Sequence, residues 1–304
     1  MILIVEQFLN GLQYGVTLFL LAAGLTLIFG IMGVINLAHG ALYMVGAFAA
    51  AWVTLQTGSF WIGLPVGLIV AAGVGLAMEV TVIRRLYARD HLDQVLATFA
   101  LILIFNQTVT LIFGRQPLFS QVPDLLSGSV QVLPGLPYPA YRLFVIGVGL
   151  AVAVGLYLLI NKTRVGMLVR AGASNRQMVR ALGVDIGRLY TAVFALGALL
   201  AGLAGIMASP ILAVQVGMGE EIILATFVVV VVGGVGSVKG AFVAGLVLGM
   251  LDTMLRAFLP GMLQGLMPGP EAQALGVGIS SMGIYLMMAI VLLLRPRGLF
   301  AAGD

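Results

Sequence analysis

Long apolar segments alternate with short polar connections along nearly the whole chain. These segments lie at about 8–30, 38–56, 60–83, 95–113, 141–160, 189–213, 221–233, 240–259 and 276–294. A membrane-spanning helix takes about 20 apolar residues, and a spanning segment must satisfy its own backbone hydrogen bonds. Runs such as 227–232 do not alternate, as barrel strands would. The pattern therefore predicts an all-α, polytopic helical integral membrane protein of about eight to nine spans.

Composition narrows the class further. Of the 304 residues, 61% are hydrophobic and 9% are charged, and the mean hydropathy is +1.15. Soluble domains carry about 25% charged residues, so we expect a single transmembrane domain over 1–304 with little room for a soluble catalytic domain. The 41 glycines favour close helix packing in lipid, at spacings such as Gly11/Gly15 and Gly245/Gly249. The absence of cysteine excludes disulfides and thiolate chemistry.

Basic residues predict the orientation, because cytoplasmic connections are enriched in Lys and Arg. The connections 84–94 and 161–188 and the C-terminal tail hold 11 of the 15 basic residues, and we expect them in the cytoplasm. The loop 114–140 is then extracytoplasmic. Nine spans place the N-terminus outside. The segment 221–233 is short and stops at two glycines, and it fits a full span, a half-helix or a re-entrant segment.

Polar residues interrupt two apolar runs at glycine-rich positions, and such residues inside a membrane are functional candidates. Gly33 to Gly40 and Gly233 to Gly240 share a Gly-x6-Gly frame, each followed by alanine. One explanation is a glycine-rich, two-fold repeated transporter core whose interrupted segments mark the pathway. The other is coincidence in a glycine-rich chain. The pathway candidates are Asn36, His39, Gly40, Thr226, Gly233 and Gly234.

Structural roles compete with the pathway hypothesis. Asn36 would end one helix, and His39 would bond a neighbouring backbone group. For Thr226, as for Asn106 and Gln107, we favour an interhelical hydrogen bond. Asp252 precedes Arg256 by four residues on one helix face, which indicates mutual neutralisation rather than a proton relay.

The connection 161–188 contains the most specific feature of the chain, an amphipathic stretch between Arg164 and Gly183. Apolar and small residues fall at helical spacing on one face, and arginines lie elsewhere. Composition leaves two interpretations open: a helix lying on anionic lipid headgroups, or a coupling helix that docks onto a cytoplasmic partner. The candidate coupling residues are Met167, Arg170, Ser174, Arg176, Met178, Arg180 and Leu182.

Enzyme motifs are missing from the chain. Neither Lys162 nor Lys239 stands in a GxxxxGK[ST] frame, so any use of ATP must come from another chain. There is no HExxH or GxSxG motif, and His39 and His91 are far apart in the sequence. We therefore expect no enzyme activity, no cofactor and no metal site. The net charge of +4 indicates basic residues collected on one side of a membrane rather than nucleic-acid binding.

Four segments of the chain are distinctive: 24–40 (GLTLIFGIMGVINLAHG), 170–183, 233–241 (GGVGSVKGA) and 295–298 (RPRG). With them the chain resembles the branched-chain amino acid permease family of ABC importers, specifically the shorter permease of the usual pair. The resemblance covers nearly all of the chain. It implies a bacterial inner-membrane subunit, embedded in membrane lipid, that pairs with a second permease, two cytoplasmic ATPases and an external solute-binding protein.

The resemblance also implies roles for particular segments. The stretch 166–183 would contact an ATPase, and the two glycine segments would belong to the translocation core. The implied function is ATP-driven import of branched-chain or related amino acids by alternating access. Relatives in the family also carry amides, urea or aromatic acids, so the substrate stays open. The rival from another class is an ion-coupled secondary transporter acting alone, with Asp252, Glu79 and His39 as coupling groups.

Overall fold

The computed structural model describes residues 2–300, with Arg176 described by its backbone alone. Eight helices within this range are long and apolar enough to span a membrane, which confirms the predicted helical membrane fold. In chain order the helices are α1 (Ile2–Met32), α2 (His39–Thr57), α3 (Phe60–Leu86), α4 (His91–Phe113), α5 (Ala140–Lys162), α6 (Arg164–Ser174), α7 (Arg176–Ala181), α8 (Ile186–Ala208), α9 (Met218–Gly233), α10 (Val238–Leu263) and α11 (Gly269–Leu294).

Helix α1 lies at the centre of the bundle, and glycines let its neighbours approach closely. A Cβ added at Gly15 would lie 2.7 Å from the carbonyl oxygen of Gly245, and one at Gly30 would lie 2.6 Å from the Cα of Gly236. Gly11 packs in the same way on Met250. The residue numbers rise along α1 while those of their partners fall along α10, so the two helices are antiparallel. The predicted close packing at the glycine spacings is thus present.

The remaining helices divide into inner and outer ones. Helices α2 and α8 cross at Gly46 and Gly202, and α3 packs beside both of them through Gly67 and Ala71. Helices α1, α2 and α8 are mostly buried within the chain, whereas less than a third of the apolar stretch of α4, α5, α10 or α11 is buried. Exposed apolar faces of this length fit contact with lipid or with another membrane subunit.

The two ends of the bundle differ in charge and structure. At the end that we call the basic end, Arg84 Nη2 donates to Thr191 Oγ1 at 2.9 Å, which joins the end of α3 to the start of α8. The opposite end carries the 114–140 loop. This loop contains a hairpin of β1 (Ser129–Leu133) and β2 (Leu136–Pro139). The all-α prediction omitted the hairpin, because its strands are short and β1 is exposed throughout, so no alternating pattern marks it.

The predicted segment 221–233 forms helix α9, which has 16 residues and a length of about 24 Å. It follows the irregular stretch 209–217, in which Val214 pairs with Leu118 of the 114–140 loop. At its other end, Gly234 lies against Phe300 in the C-terminal tail. Helix α9 therefore runs from the loop end to the basic end, although it is shorter than the eight long helices.

Two predicted helix boundaries are wrong. Helix α8 stops at Ala208, five residues before the predicted end at 213, because Pro210 has no backbone N–H to continue the helical hydrogen bonds. The amphipathic stretch is not one helix with one continuous face. Asn175 is extended (φ −151°, ψ 95°), and its side chain accepts a hydrogen bond from the Met178 N–H. It thereby caps α7 and separates α7 from α6.

Candidate functional site

The first glycine segment forms a non-helical break between α1 and α2. Helix α1 ends at Met32, Gly33 has φ +65°, and α2 begins at His39. The break draws its hydrogen bonds from α4: Ile35 N–H donates to Gln94 Oε1 at 3.1 Å, and Leu37 N–H donates to Thr98 Oγ1 at 3.3 Å. Irregular backbone at membrane depth is tolerated where protein satisfies it in this way.

Asn36 and His39 are fully buried at this break. Within residues 2–300, neither the Asn36 amide nor either ring nitrogen of His39 has a hydrogen-bond partner, and the same holds for the Thr26 hydroxyl. The backbone of Leu21 lies beside the His39 ring, but without hydrogen-bond geometry. A buried polar group left unpaired costs about 1–3 kcal/mol. The cap role considered for Asn36 is wrong, because α1 ends before Gly33 and α2 has no side-chain cap.

Helices α2, α4 and α9 meet next to this break. Gly40 and Gly219 pack backbone to backbone, and a Cβ on either would collide with the carbonyl oxygen of the other. The next residue, Glu220, accepts a hydrogen bond from the Asn106 amide of α4, so Asn106 does bond between helices. Glu221 is exposed and lies within Coulombic range of the buried Tyr43. A partly exposed carboxylate pair inside an apolar bundle points to a water-filled or protein-covered surface.

Thr226 is buried, but its hydroxyl donates to the Ile222 carbonyl of its own helix at 2.8 Å. The interhelical bond that we favoured for Thr226 is therefore wrong. A threonine hydroxyl four residues after a carbonyl bonds locally whenever no other helix offers an acceptor.

The second glycine segment forms a tight corner at the basic end. Gly233 ends α9 and packs on Gly240 near the start of α10, and Gly234 has φ +99°. Ser237 accepts the Gly240 N–H at 3.0 Å and so caps α10. Both glycine segments link consecutive helices, but the positive φ lies at the first glycine of one frame, Gly33, and after it in the other, at Gly234. The two-fold repeat stays a prediction. The second segment differs from the first in one respect: among the described residues, it contains no buried side-chain amide or imidazole without a hydrogen-bond partner.

The coupling candidates lie on the surface of the basic end. Met167, Met178 and Leu182 are exposed apolar side chains. Ser174, Arg170 and Arg180 are also exposed, while the side chain of Arg176 lies outside the described part of the chain. On the opposite side, Val169 and Val179 are buried, and Gly172 packs near Ile31 and Leu189. Helices α6 and α7 therefore rest on the ends of α1 and α8 and present methionines and arginines outwards.

A buried carboxylate cluster lies at the same end. Glu79 is fully buried at a π-helical turn of α3, and it is bound by Arg84, Tyr87 and Thr191. Burial, followed by the hydrogen bond to Glu79, raises the pKa of Tyr87 far above its ordinary value, so this hydroxyl stays a donor. From the sequence, Glu79 is a candidate only for ion coupling, and neither Gln94 nor Thr98 is a candidate. A glutamine and a threonine four residues apart in an apolar helix were the signal for that pair.

The remaining intramembrane ion pair is formed as predicted. Arg256 Nε lies 2.8 Å from Asp252 Oδ2, and Arg256 Nη1 donates to Ser281 Oγ of α11 at 3.3 Å. Among the described residues, no group of three or more His, Asp or Glu side chains is arranged to hold a metal ion.

The chain is thus a membrane helical bundle with a polar break inside it. The family model described as "Branched-chain amino acid transport system / permease component" matches residues 7–292. The chain therefore belongs to this family of permease components, and it is a multi-pass protein of the bacterial inner membrane. A permease component of an ABC transport system works with partner subunits.

Three curated relatives show the range of the similarity. The high-affinity branched-chain amino acid transport system permease protein BraD of Pseudomonas aeruginosa is 27% identical over 308 residues, which cover 97% of this chain and 94% of that protein. LivH of Salmonella typhimurium, a permease protein of the same kind of transport system, is 27% identical over 274 residues. These residues cover 84% of this chain and 86% of that protein. The ribose import permease protein RbsC of Haemophilus influenzae is 26% identical over 263 residues, which cover 83% of this chain and 77% of that protein.

Proposed function

We propose that the chain is the transmembrane permease subunit of an ATP-driven importer for branched-chain or related amino acids. The observation that carries the proposal is the α1–α2 break, where Asn36 and His39 are fully buried without hydrogen-bond partners beside the junction of α2, α4 and α9. The family relationship supports the transport role. The other proposed pathway residues, Gly40, Thr226, Gly233 and Gly234, lie on α2 and α9 or at their ends.

In this proposal, residues 1–304 form one permease domain that works with four kinds of partner. These are a second permease subunit, two ATP-binding subunits on the cytoplasmic side, a solute-binding protein on the other side, and membrane lipid. The region 161–188 faces the cytoplasm and couples to an ATPase through Met167, Arg170, Ser174, Arg176, Met178, Arg180 and Leu182. The loop 114–140 is extracytoplasmic. The chain itself hydrolyses no ATP and uses no cofactor.

Alternating access requires an element whose contacts differ between two states, because a ligand with equal affinity for both states shifts nothing. The α1–α2 break is such an element. In the described conformation Asn36 and His39 lack partners, so a conformation that exposes them to water or substrate gains hydrogen bonds. That gain offsets part of the cost of opening, while closure of the ATPase dimer supplies the rest.

The ion-coupled alternative finds little support in the structure. Its candidate Asp252 is held by Arg256 at 2.8 Å, and its candidate Glu79 is held by Arg84 at 3.0 Å. Both carboxylates are therefore already engaged by a guanidinium inside the bundle and are not free to bind a coupling ion. His39 alone would have to couple the ion.

The test is purification of the tagged chain in a mild detergent at native expression, followed by reconstitution of the recovered complex in liposomes. We expect co-purification of a second permease and two ATPase chains, and uptake of labelled leucine, isoleucine or valine that needs ATP and the binding protein. Uptake of an amide, urea, an aromatic acid or ribose instead would change the substrate and keep the mechanism. A chain that purifies alone and transports on an ion gradient without ATP would overturn the proposal.

A further inference from the structure

Glu79 lies at the centre of a cluster of polar side chains at the basic end of the bundle, and the proposed transport function does not yet give this cluster a role. Glu79 Oε1 lies 2.6 Å from the Tyr87 hydroxyl and 3.2 Å from Arg84 Nε. Its Oε2 lies 3.0 Å from Arg84 Nη2 and 3.0 Å from the Thr191 hydroxyl. A fully buried carboxylate is costly unless it is paired and hydrogen-bonded, and this one has polar partners on both oxygens. The cluster fastens the end of α3 to the second turn of α8.

The chain segment after Glu79 reaches the α1–α2 break from two directions. The Tyr87 ring meets the Tyr190 ring edge to face at 5.3 Å. The Tyr190 hydroxyl donates to the Ile31 carbonyl at 3.4 Å, in the last turn of α1, two residues before Gly33. These contacts connect the Glu79 cluster to the start of the break.

The second route runs through Gln94. Its Nε2 donates to the carbonyls of Leu86 and Arg89 at 3.2 Å each, while its Oε1 accepts the Ile35 N–H at 3.1 Å. One side chain therefore bridges the segment that follows Glu79 and the middle of the break. Both routes start within ten residues of Glu79.

The Glu79 cluster also lies next to the coupling region, α6 and α7. The short connection 182–185 joins α7 to α8, and Asp185 caps α8 by accepting the Arg188 N–H at 3.1 Å. Asp185 lies within Coulombic range of Arg84, and Gly172 of α6 packs between Leu189 of α8 and Ile31 of α1. A displacement of α6 and α7 therefore acts on the start of α8, where Thr191 holds Glu79.

We propose that Glu79 is a positioning residue for transport, which joins the start of α8 to the α1–α2 break so that movement of the coupling region opens or closes the break. The inference rests on the proposed function. The π-helical turn Glu79–Ile83 supports it, because such turns mark functional sites in helices and give α3 a place to change register.

The variants are chosen to separate positioning from folding. Thr191→Val removes the hydroxyl at equal size, whereas Thr191→Ser keeps it. Glu79→Gln keeps an acceptor for Tyr87 but loses the charge that holds Arg84, and Glu79→Ala removes the carboxylate. Glu271→Gln on α11 is the matched control, because Glu271 is an exposed acid in the first turn of its helix. Each variant is assembled with the complete transporter in liposomes.

Because the chain contains no cysteine, an introduced thiol can report on the exposure of the α1–α2 break. Leu37→Cys places a single thiol of this chain in the break, and its maleimide labelling rate is measured with and without ATP and vanadate, beside uptake per ATP hydrolysed. We expect the nucleotide-dependent change in labelling in the parent, in Thr191→Ser and in Glu271→Gln. In Glu79→Ala, Glu79→Gln and Thr191→Val we expect this change and the uptake per ATP to fall at least about fivefold, the lower end of coupling between distant sites.

The outcomes distinguish the two proposals. If the parent transports with ATP and all three cluster variants keep both readouts at the level of Glu271→Gln, the role of Glu79 is refuted and the proposed function stands. If Glu79→Ala fails to assemble, the isosteric Thr191→Val decides on the same readouts. If the parent itself shows neither ATP-dependent uptake nor a nucleotide-dependent change, the proposed function fails and the role of Glu79 fails with it.

Discussion

Gly40 of α2 and Gly219 of α9 are in reciprocal backbone contact, each filling the space where the other's Cβ would stand. The contact joins the first turn of α2, next to His39, to the first turn of α9, next to Glu220. Because neither backbone can retreat without moving its helix, this junction responds to any added atom.

We therefore expect Gly40→Ala to reduce uptake at least about tenfold, because overpacking of this kind costs about 1–3 kcal/mol. Gly73→Ala in α3 is the control, since nothing lies within 4 Å of a Cβ there. Uptake and thermal unfolding in detergent are measured for both variants. Equal behaviour of the two variants would show that the Gly40–Gly219 contact is dispensable.

The Asn106–Glu220 hydrogen bond is expected to fix the start of α9 against α4. Removing one partner of a hydrogen bond to a charged group costs about 1.5–3 kcal/mol. We expect Asn106→Ala to lower the unfolding temperature and the rate of uptake, and Gln107→Ala, an exposed neighbour, to change neither. A double-mutant cycle with Glu220→Gln measures the pair, and a coupling energy of zero would contradict the contact.

The coupling region gives a charge-reversal prediction. Arg180 is exposed on α7, so Arg180→Glu should leave the helical bundle folded and uncouple ATP hydrolysis from uptake. Arg176→Glu is expected to act alike. Arg115→Glu, in the loop at the other end of the bundle, serves as the control. Uptake and ATP hydrolysis are measured in the same liposomes, and normal uptake per ATP in both α7 variants would refute the coupling assignment.

The Asp252–Arg256 pair is expected to stabilise the fold and not to carry protons. Asp252→Ala leaves the Arg256 guanidinium in a membrane-spanning helix with Ser281 as its remaining hydrogen-bond partner among the described residues, and an unpaired charge at that depth is costly. We expect a lower unfolding temperature for Asp252→Ala than for the double variant with Arg256→Ala. Uptake by Asp252→Asn should remain independent of an imposed pH gradient. A proton-driven uptake that disappears in Asp252→Asn would restore the ion-coupled alternative.

The glycine spacings Gly11/Gly15 and Gly245/Gly249 predicted close helix packing, because glycine lets two backbones approach closely, and the structure places both spacings in one helix contact. They could not identify which helix each glycine meets, and Gly40 meets α9 rather than a neighbour in the chain. The amphipathic stretch was likewise visible as a pattern. Its division at Asn175 depends on one local competition between helix continuation and capping, which hydrophobic periodicity does not measure.

The sequence alone determined the membrane class, the positions of the long helices, the basic end and the polar breaks, because each of these follows from the solvent that a stretch of residues prefers. Tertiary structure decided which polar groups find partners. Asn106, Glu79 and Gln94 bond to residues far away in the chain or across a turn, whereas Asn36 and His39 remain unpaired. Hydrogen-bond partnership is a property of three-dimensional distance, and that distance is set by how the glycine faces of the helices pack.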